Sequence, residues 1–436
     1  MPVSNLIPYR YPRSVPRSQR AQVLIDGAPI TVLATGGGEV ATCAVSGPVE
    51  VEVRMNRPVQ GALIRPLCSG LSADASGTVL RFRLPGPMRL AIDIPGGPEV
   101  FLFADPPEER IPEGPLVRRF AAGQVYEVGE LSLADGETVW IEGGAVVRGC
   151  LRAHGVRGIT VCGRGVFDGS YYLDANDRRR FLVFDRCQDI ALRDILLINA
   201  PLWQVVFGNC QDVRVSGLKE IGHAGSSDGI DVVGSSRVMI EDCFLRCGDD
   251  AIVIKSVDLT THPQPEPFMW AANVEDVEVR RCTILTYGGA AFEIGHELQA
   301  DVVRNLRFRD CDVLGTHHFG CTFSIRNADR ACIEDVLYED IRVEHAYKSF
   351  IDLRIIQSMW GRDPARGHVR RVRFRNIDWK RSIFNPGYTT SLIGGWSPEH
   401  LVEDVSFENI RIDGVPIASL DELELHTRHA IGLRLV

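Results

Sequence analysis

Asp189-Ile190-Ala191-Leu192 returns as Asp212-Val213-Arg214-Val215, Arg237-Val238-Met239-Ile240 and Asp276-Val277-Glu278-Val279. It returns again as Asn305-Leu306-Arg307-Phe308, Asp335-Val336-Leu337-Tyr338, Arg371-Val372-Arg373-Phe374 and Asp404-Val405-Ser406-Phe407. Each phrase opens on a polar turn residue and mostly alternates apolar with polar, the period of a half-buried strand. The first apolar positions, Ile190 through Val405, are separated by 23, 25, 39, 29, 30, 36 and 33 residues. That spacing is too short for a strand, a full helix and two loops, but it fits one coil of a β-solenoid with the excess spent in loops. The phrases are rich in Val, Ile and Phe, which argues against helical repeats. Second apolar runs such as Ile195–Ile198 and Cys243–Leu245 imply two or three strands per coil. The expected fold is all-β, a right-handed parallel β-helix.

Working outward, the solenoid is expected over 120–436, with the tail from Ala418 capping its last coil. Asp105-Pro106-Pro107-Glu108-Glu109-Arg110-Ile111-Pro112 reads as the core of a linker over 106–119. Short strand signals separated by Gly, Pro and Ser clusters predict a small β-sandwich over 21–105, and residues 1–20 read as an N-terminal arm.

The composition is that of a globular chain: 45% hydrophobic, 24% charged, net charge −9 and mean hydropathy −0.01 over 436 residues. The net charge is negative and no run of Lys and Arg exceeds three residues, so a nucleic-acid partner is not expected. No window approaches a membrane span, and Met1–Arg20 has no apolar run of the signal-peptide kind. The 12 cysteines contain no CxxC pair and read as reduced, buried thiols, which points to a cytoplasmic protein. No cofactor is expected, and a homo-oligomer is left open.

The chemistry gathers in two phrases, Ser226-Ser227-Asp228-Gly229-Ile230-Asp231 and Cys247-Gly248-Asp249-Asp250-Ala251-Ile252. Asp228 and Asp249 are 21 residues apart, about one coil, so adjacent rungs can bring their carboxylates together. Crowded carboxylates raise one another's pKa, and converging acids suit glycosidic hydrolysis, one protonated and the others holding water. The longest inter-coil insert, Val257 to Trp270 with His262 inside it, follows directly and is a natural place for binding residues.

These phrases resemble glycoside hydrolase family 28, the polygalacturonase-like β-helix glycosidases, whose members carry Asn-Thr-Asp-Gly and Gly-Asp-Asp on successive coils. Thr138–Val147, Phe167-Asp168-Gly169-Ser170 and Ala200-Pro201-Leu202-Trp203 are similar as well. The resemblance covers roughly 120–300 and weakens to about 415. It implies Asp249 as general acid, Asp228 and Asp250 as the residues holding the attacking water, and inversion at the anomeric carbon. Asp231 reads as structural.

The chain departs from the family where Gly-His-Gly is expected, since Gly289 or Ala290 falls at the histidine position. The family's Arg-x-Lys is replaced by Ser324-Ile325-Arg326. Those basic residues grip a uronate carboxylate in polygalacturonases, so polygalacturonate is not the expected substrate. Glu293, His296, Glu297, Arg326, Lys255 and His318 become candidate sugar-binding residues, with Trp203 and Trp270 as stacking platforms. Glu293 and His296 on one strand would point to opposite faces, which argues against a metal there. The sandwich ahead of a solenoid is also similar to the dextranase and isopullulanase family, glycoside hydrolase family 49, which shares the aspartate trio. A glucan or fructan hydrolase or transferase is therefore an alternative reading, as are a polysaccharide lyase or epimerase and a non-catalytic carbohydrate-binding solenoid.

Overall fold

The computed structural model describes residues 5–108, 113–381 and 390–436. Part of the segment read as a linker, 109–112, lies outside the described residues. Val117 to Leu435 form one continuous ladder of 32 strands, nearly all of them parallel, wound coil upon coil. Ile190, Val213, Val238, Val277, Leu306, Val336, Val372 and Val405 are successive Cα partners across seven rungs. All eight are buried, which is why the apolar position recurs. The residue opening each phrase has φ between 54° and 61°. This left-handed conformation bends the strand at the same place in every coil. Asp and Asn tolerate it better than other non-glycine residues, which accounts for six of the eight.

The ladder places like on like inside the helix. Phe308, Tyr338, Phe374 and Phe407 stack at ring spacings of 4.9, 5.1 and 5.1 Å. At the C-terminal end Ser419 opens a single 3₁₀ turn, Leu420–Leu423, through a capping box, and Leu423 plugs the last coil with no exposed surface.

Before the solenoid, two sheets pack face to face. One joins Leu6–Pro8, Gly38–Val45, Val100–Asp105, Met88–Asp93 and Leu63–Arg65, with Val32–Thr35 beside Gly38–Val45; the other joins Ala28–Ile30, Ala21–Ile25, Val49–Met55, Val79–Leu84 and Asp74–Ser76. Val23, Val51, Leu80, Leu90 and Leu102 fill the space between them. The first sheet is apolar on both faces, because Val40, Ala44, Phe101 and Phe103 pack on Ile198, Ile221, Phe244 and Leu285 of the solenoid. Leu6–Pro8 pairs with Gly38–Val45, and Tyr9, Tyr11 and Val15 are buried in the contact with the solenoid.

One face of the solenoid is a stack of eight parallel strands. Its strands, in chain order, are β1 (Leu182–Asp185), β2 (Val205–Gly208), β3 (Ile230–Val233), β4 (Ile252–Asp258), β5 (Phe292–Leu298), β6 (Cys321–Asn327), β7 (Ser349–Ile355) and β8 (Thr390–Gly394). Each pairs in parallel with the next. Segments preceding these strands therefore form one bank of a groove, and segments following them form the other.

Candidate active site

Asp228 sits immediately before β3 and Asp249-Asp250 immediately before β4. The backbone ladder continues through both turns, with Gln204 N–H donating to Asp228 O, Gly229 N–H to Asp250 O and Ala251 N–H to Ala290 O. Asp228 and Asp250 thus occupy equivalent places on neighbouring rungs, about 4.8 Å apart along the helix axis. Close approach makes Gly229 obligatory. A Cβ there would lie 2.5 Å from Ala251 O and 2.8 Å from Glu220 Oε2.

Asp228, Asp249, Asp250, Lys255, His296, Glu297, Arg326 and Trp203 all line one cavity of about 270 Å³. Lys255 on β4 donates to Asp228 at 2.9 Å and to Asp231 at 3.1 Å, with its Nζ 3.8 Å from the centre of the Trp203 ring. Burial drives the Asp228 carboxyl upward; Lys255 opposes it, and Asp231, Asp249 and Asp250 reinforce it. Burial and then the charge of Asp250 push Asp249 up to about 7, against the pull of Lys255. Burial and mutual repulsion raise Asp228, Asp231 and Asp249 together, and Asp249, at about 7, can hold and release a proton near neutral pH. Asp250 is anchored by the Ala290 N–H at 2.5 Å.

The far side of the cavity is built by β5, whose register shifts against β4. Ile254 pairs with Ile294 but Ser256 pairs with Leu298, so Lys255 alone faces Gly295, His296 and Glu297. The extra residues break the alternation assumed from sequence. Glu293 does not lie on the face opposite His296: it ion-pairs with the cavity-lining Arg326 at 3.5 Å, and His296 and Glu297 line the same cavity. Glu293 itself is sealed below the floor at 1% exposure, where burial pushes it up to about 8 against the pull of Arg326. It supports Arg326 and does not present itself to the cavity. Arg326 also donates to Asp352 at 3.0 Å. Burial opposes the charge on Glu297, but Lys255 and His262, hydrogen-bonded at 3.0 Å, hold it at about 2.

Two further assignments are corrected. Trp270 is fully buried, stacked on Phe268 at 4.6 Å with its indole N–H donating to Asp185 at 2.7 Å, so it offers no platform to a sugar. His318 is exposed and does not line the cavity; its neighbour Phe319, 76% exposed, does. Trp203 does line the cavity, but at 4% exposure and with Arg180 and Lys255 both over its ring it acts as a wall. His262, Gln264, Phe319 and Trp360 also line the cavity and were not assigned from sequence. His262 stacks on Trp360 at 5.3 Å. Its place in the longest insert was a usable signal; Trp360, about a hundred residues further on, carried none. Among the described residues no group of three or more His, Cys, Asp or Glu side chains is arranged to hold a metal ion.

Residues 132–381, more than half of the chain, match the model of glycosyl hydrolases family 28. The chain belongs to that family. A polygalacturonase of Chamaecyparis obtusa is 37% identical over 83 residues, covering 18% of this chain and 16% of that protein. A probable polygalacturonase of Arabidopsis thaliana is 30% identical over 112 residues, covering 24% and 25%. The matched stretches thus span only about a sixth to a quarter of these curated relatives. Among solved structures, Dex49A from Penicillium minioluteum superposes over 100% of this chain and 96% of its own at a TM-score of 0.66 and 12% identity. An exopolygalacturonase from Thermotoga maritima covers 73% and 84% at 0.55 and 16% identity. Both likenesses concern the fold, and the first includes the N-terminal sandwich. In this family 28 chain Gly289, one of the two candidates for the histidine position, has no room for a side chain. A Cβ at Gly289 would lie 2.2 Å from Asp250 N and 2.3 Å from Asp250 Oδ1, so no side chain can stand there without moving the aspartate.

Proposed function

We propose that the protein hydrolyses a glycosidic bond in a neutral oligo- or polysaccharide, with inversion at the anomeric carbon. Three aspartates from adjacent rungs opening into one cavity, beside cations already committed to carboxylates, carry this reading. Asp249, the carboxyl held near 7, donates its proton to the glycosidic oxygen as the bond to the anomeric carbon breaks. Asp228 and Asp250 orient a water on the opposite face of the sugar and take its proton as it attacks. Lys255, donating to Asp228 at 2.9 Å, pulls against the burial that raises that carboxyl and so favours the ionised form a base needs.

The neutral substrate follows from charge accounting around the cavity. Lys255 is held by Asp228 and Asp231, and Arg326 by Glu293 and Asp352. A uronate carboxylate entering beside Asp249, Asp250 and Glu297 meets like charge, and the lining cations Lys255 and Arg326 already contact Asp228, Asp231 and Asp352. Hydroxyl groups can donate to those same carboxylates, and Phe319 and Trp360 supply aromatic surface for a sugar ring. The lyase alternative needs a base, and Lys255 is unsuited to it. Burial works against its charge, but Asp228, Asp231 and Glu297 raise it above its ordinary value. A cytoplasmic location goes with the 12 free thiols.

The test is a side-by-side assay of trigalacturonate and of neutral di- and trisaccharides, with proton NMR of the first product. Faster cleavage of a neutral sugar with an inverted product anomer is expected. Faster cleavage of trigalacturonate, or a retained anomer, would overturn the corresponding half of the proposal.

A further inference from the structure

The insert after β4 does more than wall the site. Instead of standing out into solvent it turns back over the earlier coils. Met269–Trp270 pairs antiparallel with Val257-Asp258, and Trp270 lies flat on the outer face of the solenoid. A Cβ on Gly208, at the end of β2, would fall 2.0 Å from the Trp270 ring, and the indole N–H reaches Asp185 at the end of β1. Leu259, Phe268 and Trp270 of the insert cluster with Val183, Val206 and Val233, the outward side chains of β1, β2 and β3, and with Trp203. The groove floor on the N-terminal side of the aspartates is therefore covered by packed apolar side chains. The opposite bank closes the seal. Arg180, just before β1, is fully buried, ion-pairs with Glu266 of the insert and lies 3.9 Å over the Trp203 ring. A link between the two banks crosses the groove at that point.

Among the described residues, no such cover lies in the other direction. Arg326 lines the cavity, and its partner Asp352 also binds Arg354, at 2.8 Å through Nη2. Arg354 lines a second depression of about 620 Å³ on the same face, together with Gln357, Trp396 and Arg428. Trp396 is 43% exposed there. Four strand steps, β4 to β8, separate the aspartates from this tryptophan's rung, or about 19 Å at the usual spacing.

We propose that the site admits only the end of a glycan chain, which abuts the wall of Trp203, His262 and Gln264, while the remainder leaves toward Trp396. This rests on the hydrolytic reading above and adds its mode: cleavage proceeds endwise, releasing one small unit of constant size.

The probes are α-glucan, β-glucan, fructan and galactan oligosaccharides of two to seven units, with free ends, with the reducing end converted to an alditol, or with the non-reducing end blocked by an O-benzylidene group. Endwise cleavage gives one small product from the first time point, and blocking one particular end lowers the rate at least about a hundredfold. Early internal fragments of several sizes, or indifference to both blocks, would overturn the proposal. Saturation-transfer NMR with Asp249→Asn reads binding without turnover. Contact concentrated on one terminal residue supports endwise binding, and even contact along internal residues overturns it. End-on binding by a wild-type protein that cleaves nothing would sink the hydrolytic reading alone. A panel that neither binds nor reacts removes both.

Discussion

At the scale of single residues, the site depends on where a few protons reside. Asp249→Asn and Asp228→Asn are each expected to lower kcat at least about a hundredfold, the usual cost of losing a positioned acid or base. Steady-state kinetics on variants with unchanged circular dichroism check this, and near wild-type turnover would refute the roles. The pH dependence has a definite sign. Burial and Asp250 hold Asp249 near 7, and a general acid works only while protonated. The rate should fall about tenfold per unit above that value; a kcat profile with no fall between pH 7 and 9 would contradict Asp249 as the acid. The three aspartates were legible in the sequence because their spacing is about one coil, Ile230 of β3 pairing with Ile252 of β4. The correct places of Glu293 and His296 were not, because a register shift in β5 is invisible to a strand-alternation rule.

At the scale of elements, the turns before β4 and β5 are packed backbone on backbone. Gly289 lies against the Asp249-Asp250 turn with no room for a methyl group. Gly289→Ala should displace that turn by several tenths of an ångström and lower kcat by about ten- to a hundredfold, since small misplacements of reacting groups are that costly. KM and Tm should change much less, which separates misplacement from unfolding. The ladder gives a contrasting case. Leu306 is fully buried between Val277 and Val336. Leu306→Ala should cost about 2–5 kcal/mol of stability, measured by urea denaturation, and leave the groove chemistry of the folded protein intact. The insert after β4 shows the limit of reading elements one by one. Its aromatic end resembled a sugar platform, but a chain segment free to fold in either direction buries its largest apolar group wherever a complementary surface exists. The glycine at 208 and the valines of β1 to β3 provide that surface.

At the scale of the whole molecule, the sandwich and the solenoid share a buried charge cluster as well as an apolar contact. Asp105, the last residue of the sandwich, accepts from Lys219 of the solenoid at 2.6 Å, with Arg89 at 2.9 Å. Burial pulls against both charges. Lys219 falls to about 8, while Lys219, Arg89 and Arg164 together hold Asp105 at about 2, so the pair is charged at neutral pH. An acid whose pKa is depressed in the folded state stabilises it above its unfolded value near 4, and that contribution fades as the pH falls toward 2. Lys219→Met removes one of the three cations around Asp105 and should destabilise by about 1.5–3 kcal/mol, the usual worth of a hydrogen bond to a charged group. A Tm within a degree of wild type at pH 7 would show the cluster to be dispensable. The sandwich also braces the site, since a Cβ on Gly36 would fall 2.0 Å from the His223 ring, five residues before Asp228.

What the amino-acid sequence determined by itself was everything that repeats or sits within one coil. The solenoid, its rungs and the meeting of Asp228 with Asp249 and Asp250 follow from local periodicity, because parallel stacking maps a sequence interval directly onto a spatial one. What only the tertiary structure decided was everything that leaves the repeat. The register shift that turns His296 and Glu297 into the cavity, the fold-back that buries Trp270 and the link from Arg180 to Glu266 all depend on which surfaces happen to complement one another. So does the arrival of Phe319 and Trp360 at the cavity. Burial of apolar area is non-directional and takes no account of distance along the chain. A loop's destination is therefore set by the whole surface it can reach, and not by its own sequence.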